Sequence, residues 1–388
     1  MRLRLKIPSV EADLYPAPPE HCPACGNSTW HSHGRPDKAI RDTRRAQVQS
    51  RRIQCTACGT TMRIYPIGVS QCKQSERLRG LTILLYLLGL SYRGVADVVV
   101  ALGTSLGPTT VYNNVQQAGE AVRQLKQRRL GNSQVRILAA DGTHLKVNGQ
   151  DTVLLHLGDG EKGICLAIEI VPAEDSASLD ELIGEMAQAV GAEILLSDDL
   201  DVYKNVSDRQ GLAQQICNQH VVPNTLRKLA QIAAQLEKRY KQAGEQGLAR
   251  EKIEKAMGHI LDLEQIILWR SPGSQKWLDE LVRVYEKEPS PKKGQRATPF
   301  CRLKLLCLHL AANWPRLTLY ESLREEDGRK FIPSTNNVSE QSIGLNIKER
   351  YRTMRGYKSE RSVLRVTTLT AFLRDEGDDQ ALIRALAA

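Results

Sequence analysis

The sequence predicts a multidomain α/β protein with a small metal-bound head, a helical segment, and a mixed-sheet domain interrupted by a long run of helices. Three observations predict it. Two C-x2-C pairs lie within the first 58 residues; after Asn132 three strand-like runs are followed by a helix and another strand-like run; and residues 224–330 read almost throughout as amphipathic helix.

The chain has 388 residues, room for two or three domains. Its 54 Lys and Arg against 44 Asp and Glu leave a net charge of +10, which points to a polyanionic partner. Residues 1–80 hold 14 of the cations and 6 of the acids, so much of the excess sits at the N-terminal end. The start, MRLRLKIPSV, is followed by acids and prolines rather than an apolar run, so it does not read as a secretory signal. The apolar stretch LTILLYLLGL is ten residues long, too short to span a bilayer. The expectation is a soluble, cytoplasmic protein with no membrane partner. In a reducing compartment nine Cys are metal ligands or buried thiols rather than a disulfide framework.

Residues 1–70 read as a zinc ribbon. Cys22 and Cys25 form one knuckle and Cys55 and Cys58 the other, and two such knuckles close a tetrahedral site for one structural Zn2+. The 29 residues between the knuckles leave space for a hairpin, and SRRIQC reads as a strand entering the second. His21, His31 and His33 fall outside a shell that four Cys already fill, and Cys72 has no assigned role. Residues 71–131 follow as three apolar-periodic blocks broken at GLS and GTSLGP, the pattern of a helix-turn-helix DNA-binding domain. Pro108 suits the first position of the last helix, which carries Tyr112 and offers Thr109, Thr110, Asn113 and Asn114, with Gln116, for base edges.

Residues 132–223 carry VRILAADGTHLKV, TVLLHLGDG and GICLAIEIVP as strands, SASLDELIGEMAQAV as a helix, and AEILLSDD as a further strand. Two of these strands lead into acids, Asp141 and Asp198. Carboxylates held close together repel unless a cation lies between them. Hard oxygen donors suit Mg2+ or Mn2+, and two such ions about 3.5–4 Å apart serve an in-line phosphoryl displacement. That chemistry needs a third acid. The stretch STNNVSEQSIGLNIKERYRTMRGYKS, residues 334–359, offers Glu340 ahead of Lys348, Arg350, Arg352, Arg355 and Lys358. A solvated helix with acids first and cations later accounts for the same pattern.

Taken together, DGTHLKV, LLSDDLDVYKN and TNNVSE resemble bacterial insertion-sequence transposases of the DDE superfamily. Within it the chain is similar to groups related to Mutator-like elements, and QQICNQHVVPNT reproduces their C-x2-H signature at Cys217 and His220. The resemblance covers essentially the whole length. It implies an RNase H-like catalytic core in two parts, residues 132–223 and 331–388, interrupted by an all-α insertion domain at 224–330. It implies that Asp141, Asp198 and Glu340 hold two Mg2+ (or Mn2+) ions, with Asp199 as the alternative second acid. Asp198 stands five residues before Tyr203, as the family's acid stands before an aromatic or Leu.

Cys217 and His220 are either zinc ligands or a structural thiol with a His that orients phosphate or backbone. The insertion holds 21 cations to 14 acids and, by the resemblance, touches the transposon end. Trp269 and Trp277 are expected in its core, with stacking on an unpaired base as the alternative. Asn336 and Asn337 are expected as cap and phosphate contacts, and Gly344 and Ile347 as a face packed on the sheet.

The implied partner is double-stranded DNA, both element ends and target, bound by a homodimer or higher oligomer. The implied reaction binds terminal inverted repeats, cleaves a strand at each end, and transfers the freed 3′-hydroxyl to target. Two rival functions share these motifs: a non-catalytic DNA-binding regulator and a structure-selective nuclease.

Overall fold

The computed structural model describes residues 6–172, 176–242, 248–270, 273–291, 294–323, 332–354 and 356–375. The head contains β1 (Trp30–Ser32), β2 (Asp37–Ala39), β3 (Gln47–Gln49), β4 (Arg51–Cys55) and β5 (Thr61–Ile64). β1, β4 and β5 form an antiparallel sheet with β4 central, and β2 and β3 pair as a hairpin between the knuckles. Its buried apolar cluster is Val10, Ile40, Val48 and Val69. A core of that size does not hold a domain by burial alone, so the head needs a cross-link.

Asp42 fastens the head to the helices that follow. Its side chain is fully buried, and it accepts from the amides of Arg44 (2.8 Å) and Arg45 (3.1 Å), from Ser75 Oγ, and from Arg77 Nε (3.0 Å) and Nη2. Burial pushes this carboxyl up, but the hydrogen bonds from Arg77 and Ser75 outweigh it and hold the pKa below the ordinary value. Stability from this group is therefore fully present above the unfolded pKa and is lost as pH falls through the folded one. Asp42→Ala should cost about 3–5 kcal/mol at pH 7, the usual result of leaving a buried cation unpaired. In urea titrations the gap between wild type and variant should close in acid; a gap constant down to pH 2 would contradict the assignment.

The helical segment comprises α1 (Glu76–Leu87), α2 (Tyr92–Ala101) and α3 (Pro108–Leu130). Ser75 and Ser91 cap the first two through side-chain oxygens, and Pro108 opens the third. The central sheet follows: β6 (Ile137–Val147), β7 (Gln150–Asp159), β8 (Cys165–Val171), then α4 (Ser176–Val190), β9 (Ile194–Ser197), α5 (Asp201–Gln210) and β10 (Ala213–Ile216). The strand order is β10-β9-β6-β7-β8; β6, β7 and β8 are antiparallel, and β9 and β10 are added in parallel through helical crossovers. This is the RNase H-like arrangement.

One sheet face packs Leu138, Ala140, Leu155 and Leu157 under α4 and α5. The other packs Leu145, Leu154 and Ile168 against α3 and the C-terminal helix.

Between the two parts of the core lie α6 (Asn218–Gln242), α7 (Leu248–Trp269), α8 (Ser274–Tyr285), α9 (Pro299–Leu317) and the short α10 (Leu319–Ser322). They share their own apolar core, in which Leu229, Ile232 and Leu236 recur at helical spacing on α6. Trp269 and Trp277 are not in it: they are 78% and 54% exposed, contrary to the sequence expectation. Both lie at the α7–α8 connection, beyond the reach of the apolar seam.

The chain returns through α11 (Asn337–Ser342), a π-helical turn (Ile343–Lys348), α12 (Glu349–Met354) and α13 (Glu360–Asp375). Gly119 of α3 meets α13 so closely that a Cβ would lie 2.6 Å from the Arg365 carbonyl oxygen, so only glycine permits this crossing. Ile83, Tyr86, Val111, Val115 and Val122 thereby join the same cluster as Val363, Val366 and Phe372. The boundary expected at residue 131 thus runs through a shared core.

Candidate active site

Asp141 is expected at a strand end, but it lies within β6, whose hairpin with β7 continues to Val147. β9 is the strand that stops. Its parallel register pairs Ile137 with Ile194 and Ala139 with Leu196. Continuing this register brings Asp141 beside Asp198, the first acid past the end of β9. The same rule extends to β10, where Ile216 pairs with Ser197 and the Cys217 amide donates to Ser197 O at 2.7 Å. Asp141, Asp198 and Cys217 thus stand in a row across three strands.

Asp199 follows the alternation of a strand and points elsewhere. Its carboxylate pairs with Lys204 Nζ (2.8 Å) and His309 Nε2 (2.8 Å), tying the strand end to α5 and α9.

Glu340 reaches the row from α11. Three contacts hold that helix start: Asn218 N donates to Ser334 O (3.0 Å), Asn336 N to Cys217 Sγ (3.1 Å), and Asn336 Nδ2 to Ala140 O (3.0 Å). Asn336 is therefore buried as a tie between α11 and β6, and its side chain makes no capping bond. Asn337 is exposed. A Cβ at Gly344 would meet nothing within 4 Å, so its smallness is not needed for packing, whereas Ile347 is fully buried. The π-helical turn that carries both is a feature common at functional sites.

Burial drives the Asp141 carboxyl up to about 7, and the charges of Asp198 and Glu340 push the same way, partly offset by His220 and Lys348. Asp141 therefore feels both other acids. His220 is raised to about 9, first by its hydrogen bond to Cys217, against the effect of burial, and further by Cys217, Glu340 and Asp141 charge. Its Nε2 lies 3.5 Å from Glu340 Oε1. Ligand atoms of Cys217, His220 and Glu340 fall within 4.8 Å of one another. The acid charges of Asp198 and Glu340 reach Asp141 and raise it; a hard divalent cation held by these carboxylates would relieve that repulsion.

The four head thiols converge as the spacing implies. Cys22 and Cys58 Sγ are 3.7 Å apart and Cys25 and Cys55 Sγ 3.6 Å, with all four within 4.8 Å. A tetrahedral ion with Zn–S bonds of about 2.3 Å would separate its sulfurs by about 3.8 Å, so the donor set fits zinc. The Cys58 amide helps draw Cys55 down to about 6. The Asn27 amide lowers Cys25, but its thiol neighbours, Cys58 first, push it up to about 12. Four thiolates cannot coexist here without a cation.

The expected DNA-facing residues divide. Thr109 and Asn113 are exposed on α3 and Thr110 is half-buried. Asn114 is buried, donating to Gln74 Oε1 (2.8 Å) and Thr82 Oγ1 (3.1 Å), and Gln116 is buried against Ser362 Oγ (3.0 Å), so neither can read bases. Lys348 and Arg352 are exposed beyond Glu340. Arg350 is buried: it donates to Leu90 O (2.9 Å) and lies 4.2 Å over the Tyr86 ring, joining α12 to α1. Arg355 lies outside the described residues. Among the described residues no helix is long and apolar enough to cross a membrane.

Among solved structures, the chain is similar to the catalytic core domain of BIV integrase, at 12% identity over 50% of this chain and 90% of that one, with a TM-score of 0.18. It is also similar to the HTLV-2 integrase catalytic core domain in complex with magnesium, at 15% identity over 33% of this chain and 85% of that one, with a TM-score of 0.20. No curated protein matches. The model of the IS66 transposase family matches residues 78–352, well over half the chain and inclusive of Asp141, Asp198, Cys217, His220 and Glu340. The chain belongs to the IS66 transposase family.

Proposed function

We propose that the protein binds the terminal inverted repeats of its own element and catalyses metal-dependent strand cleavage and strand transfer, with Asp141, Asp198 and Glu340 as its catalytic acids. The observation that supports this reading is that the β6–β9 register, carried on, sets Asp141 beside Asp198, and that the charges of Asp198 and Glu340 both act on Asp141. The three would hold two Mg2+ or Mn2+ ions. When bound there, the ions supply Lewis-acid stabilisation of the attacking and leaving oxygens of an in-line displacement.

The chain's own groups do the positioning. Asn336 sets α11 against β6, and the Asp199 pairs with Lys204 and His309 set the loop that presents Asp198. His220, protonated at neutral pH before metal binds, places a cation beside Glu340 where phosphate would enter. Cys217, buried and accepting the Asn336 amide, is structural in this reading. Lys348 and Arg352 extend along the same helix toward the substrate strand.

The domains proposed are the head (1–70), the helix-turn-helix (71–131), the core (132–223 and 331–388) and the helical insertion (224–330). The insertion's net charge of +7 suits a wall against DNA. End recognition is placed on the exposed start of α3. Asn113→Ala should cost about 1–3 kcal/mol of discrimination between end and random duplex. Asn114→Ala should instead lower the melting temperature and leave that discrimination unchanged. Deleting residues 1–130 is not a usable test, because it removes much of the apolar cluster shared with α13.

The deciding experiment incubates the full-length protein with duplexes bearing the element's inverted repeats and Mg2+. Nicks at the repeat ends leaving 3′-hydroxyls support the reading. Binding without any cleavage favours the regulator, and cutting of branched DNA regardless of sequence favours the nuclease.

A further inference from the structure

A cavity of about 680 Å³ opens where the α1–α2 turn and α3 meet the α12–α13 connection. That volume is in the range of small-ligand sites. Tyr86 and Tyr92 stack at 4.3 Å, and Tyr112 meets Tyr92 edge-on at 5.4 Å, itself 39% exposed at the mouth. Among the described residues Arg350 and Lys358 bring two cations, and no carboxylate lines the cavity. Three buried polar atoms in its wall, Tyr92 Oη, Arg350 Nε and Tyr357 Oη, have no hydrogen-bond partner among the described residues, and Arg350 and Tyr357 are each only 3% exposed. Buried polar groups are rarely left so unless a ligand completes them.

We infer that this cavity takes one unpaired nucleotide of the DNA substrate, its base against Tyr112 at the mouth and its phosphate toward Arg350 and Lys358. Flat aromatic faces accept any base, and a cationic wall without acids accepts the phosphate. Position argues for DNA over a free metabolite. Arg350 lies ten residues beyond Glu340 on the same helical run, on the order of 15 Å at 1.5 Å per residue. At about 3.4 Å per nucleotide this is roughly four nucleotides from the acids along one strand. The cavity also adjoins α3, the proposed reader. The inference rests on the proposed DNA-processing function.

The test is a metal-free binding measurement by fluorescence polarisation, using full-length protein and duplexes of random sequence. One duplex carries a single extrahelical thymidine, and a second carries an abasic site in its place. Wild type should bind the thymidine bulge about tenfold more tightly than the abasic one, in keeping with base–aromatic stacking. Tyr112→Ala should bring the ratio near one. Tyr357→Phe should lower it several-fold without lowering the melting temperature, because a hydroxyl with no partner supports nothing in the fold.

Equal wild-type affinities, or a ratio unchanged in both variants, would overturn the inference. So would Tyr112-dependent binding of thymidine monophosphate with no preference between the two bulges, which would make the ligand a free nucleotide. No cleavage enters this measurement. A bulge preference without end cleavage therefore sinks the transposition reading alone, and cleavage without the preference sinks the cavity alone.

Discussion

Replacing Asp141 by Asn should abolish Mg2+-dependent end cleavage, lowering the rate by at least about 10³-fold, while end binding stays equal or tightens. The magnitude follows from removing one member of a set of groups that act as a unit. The double variant with Glu340→Gln should be no worse than either single one. Stability should move the other way. The Asp141 carboxyl is held up at about 7 by burial and by two neighbouring acids. A group whose folded pKa lies above its unfolded value weakens the fold as pH rises past the unfolded pKa. The metal-free Asn variant should therefore melt above wild type at pH 8, and the difference should shrink as pH falls toward 4. Calorimetry of the two proteins across that range checks the sign; a variant that melts lower would identify the Asp141 carboxylate as a structural group of β6.

Cys55→Ser should release zinc and unfold the head. A structural Zn2+ site supplies on the order of 10–16 kcal/mol of apparent binding free energy, far more than four buried aliphatic side chains provide. Purified wild type should contain one zinc per chain and the variant none, with added protease sensitivity confined to residues before α1. Full zinc content in the variant would remove Cys55 from the ligand set. The helices after the head have their own core and should persist.

Much of this was legible because it depends on short spacings. The knuckles announce themselves by C-x2-C, and Asp198 is singled out by its place directly after ILLS and five residues before Tyr203. The sheet order follows from strand succession and crossover rules.

Other features depend on contacts remote in sequence. Arg350 reads as one more cation in a basic run, and only the packing of α12 on α1 turns it inward over Tyr86. Asn114 looks like Asn113 until Gln74 and Thr82 are brought beside it. Asn336 has the sequence of a helix cap, but a carbonyl on β6 takes its side-chain amide. A buried position beside Asp141 also escaped the sequence: His156, its cross-strand partner, is fully buried with both ring nitrogens unpartnered among the described residues. Its pKa is depressed to about 3, first by burial and then by Lys126 charge, so it stays neutral.

The most direct measurement of the central claim is Mn2+ binding followed by electron paramagnetic resonance in the complex with end DNA. The account predicts two Mn2+ per active site in wild type and in Asp199→Asn, with loss of at least one ion in each of Asp141→Asn, Asp198→Asn and Glu340→Gln. Full occupancy in any of those three, or loss in Asp199→Asn alone, would contradict it.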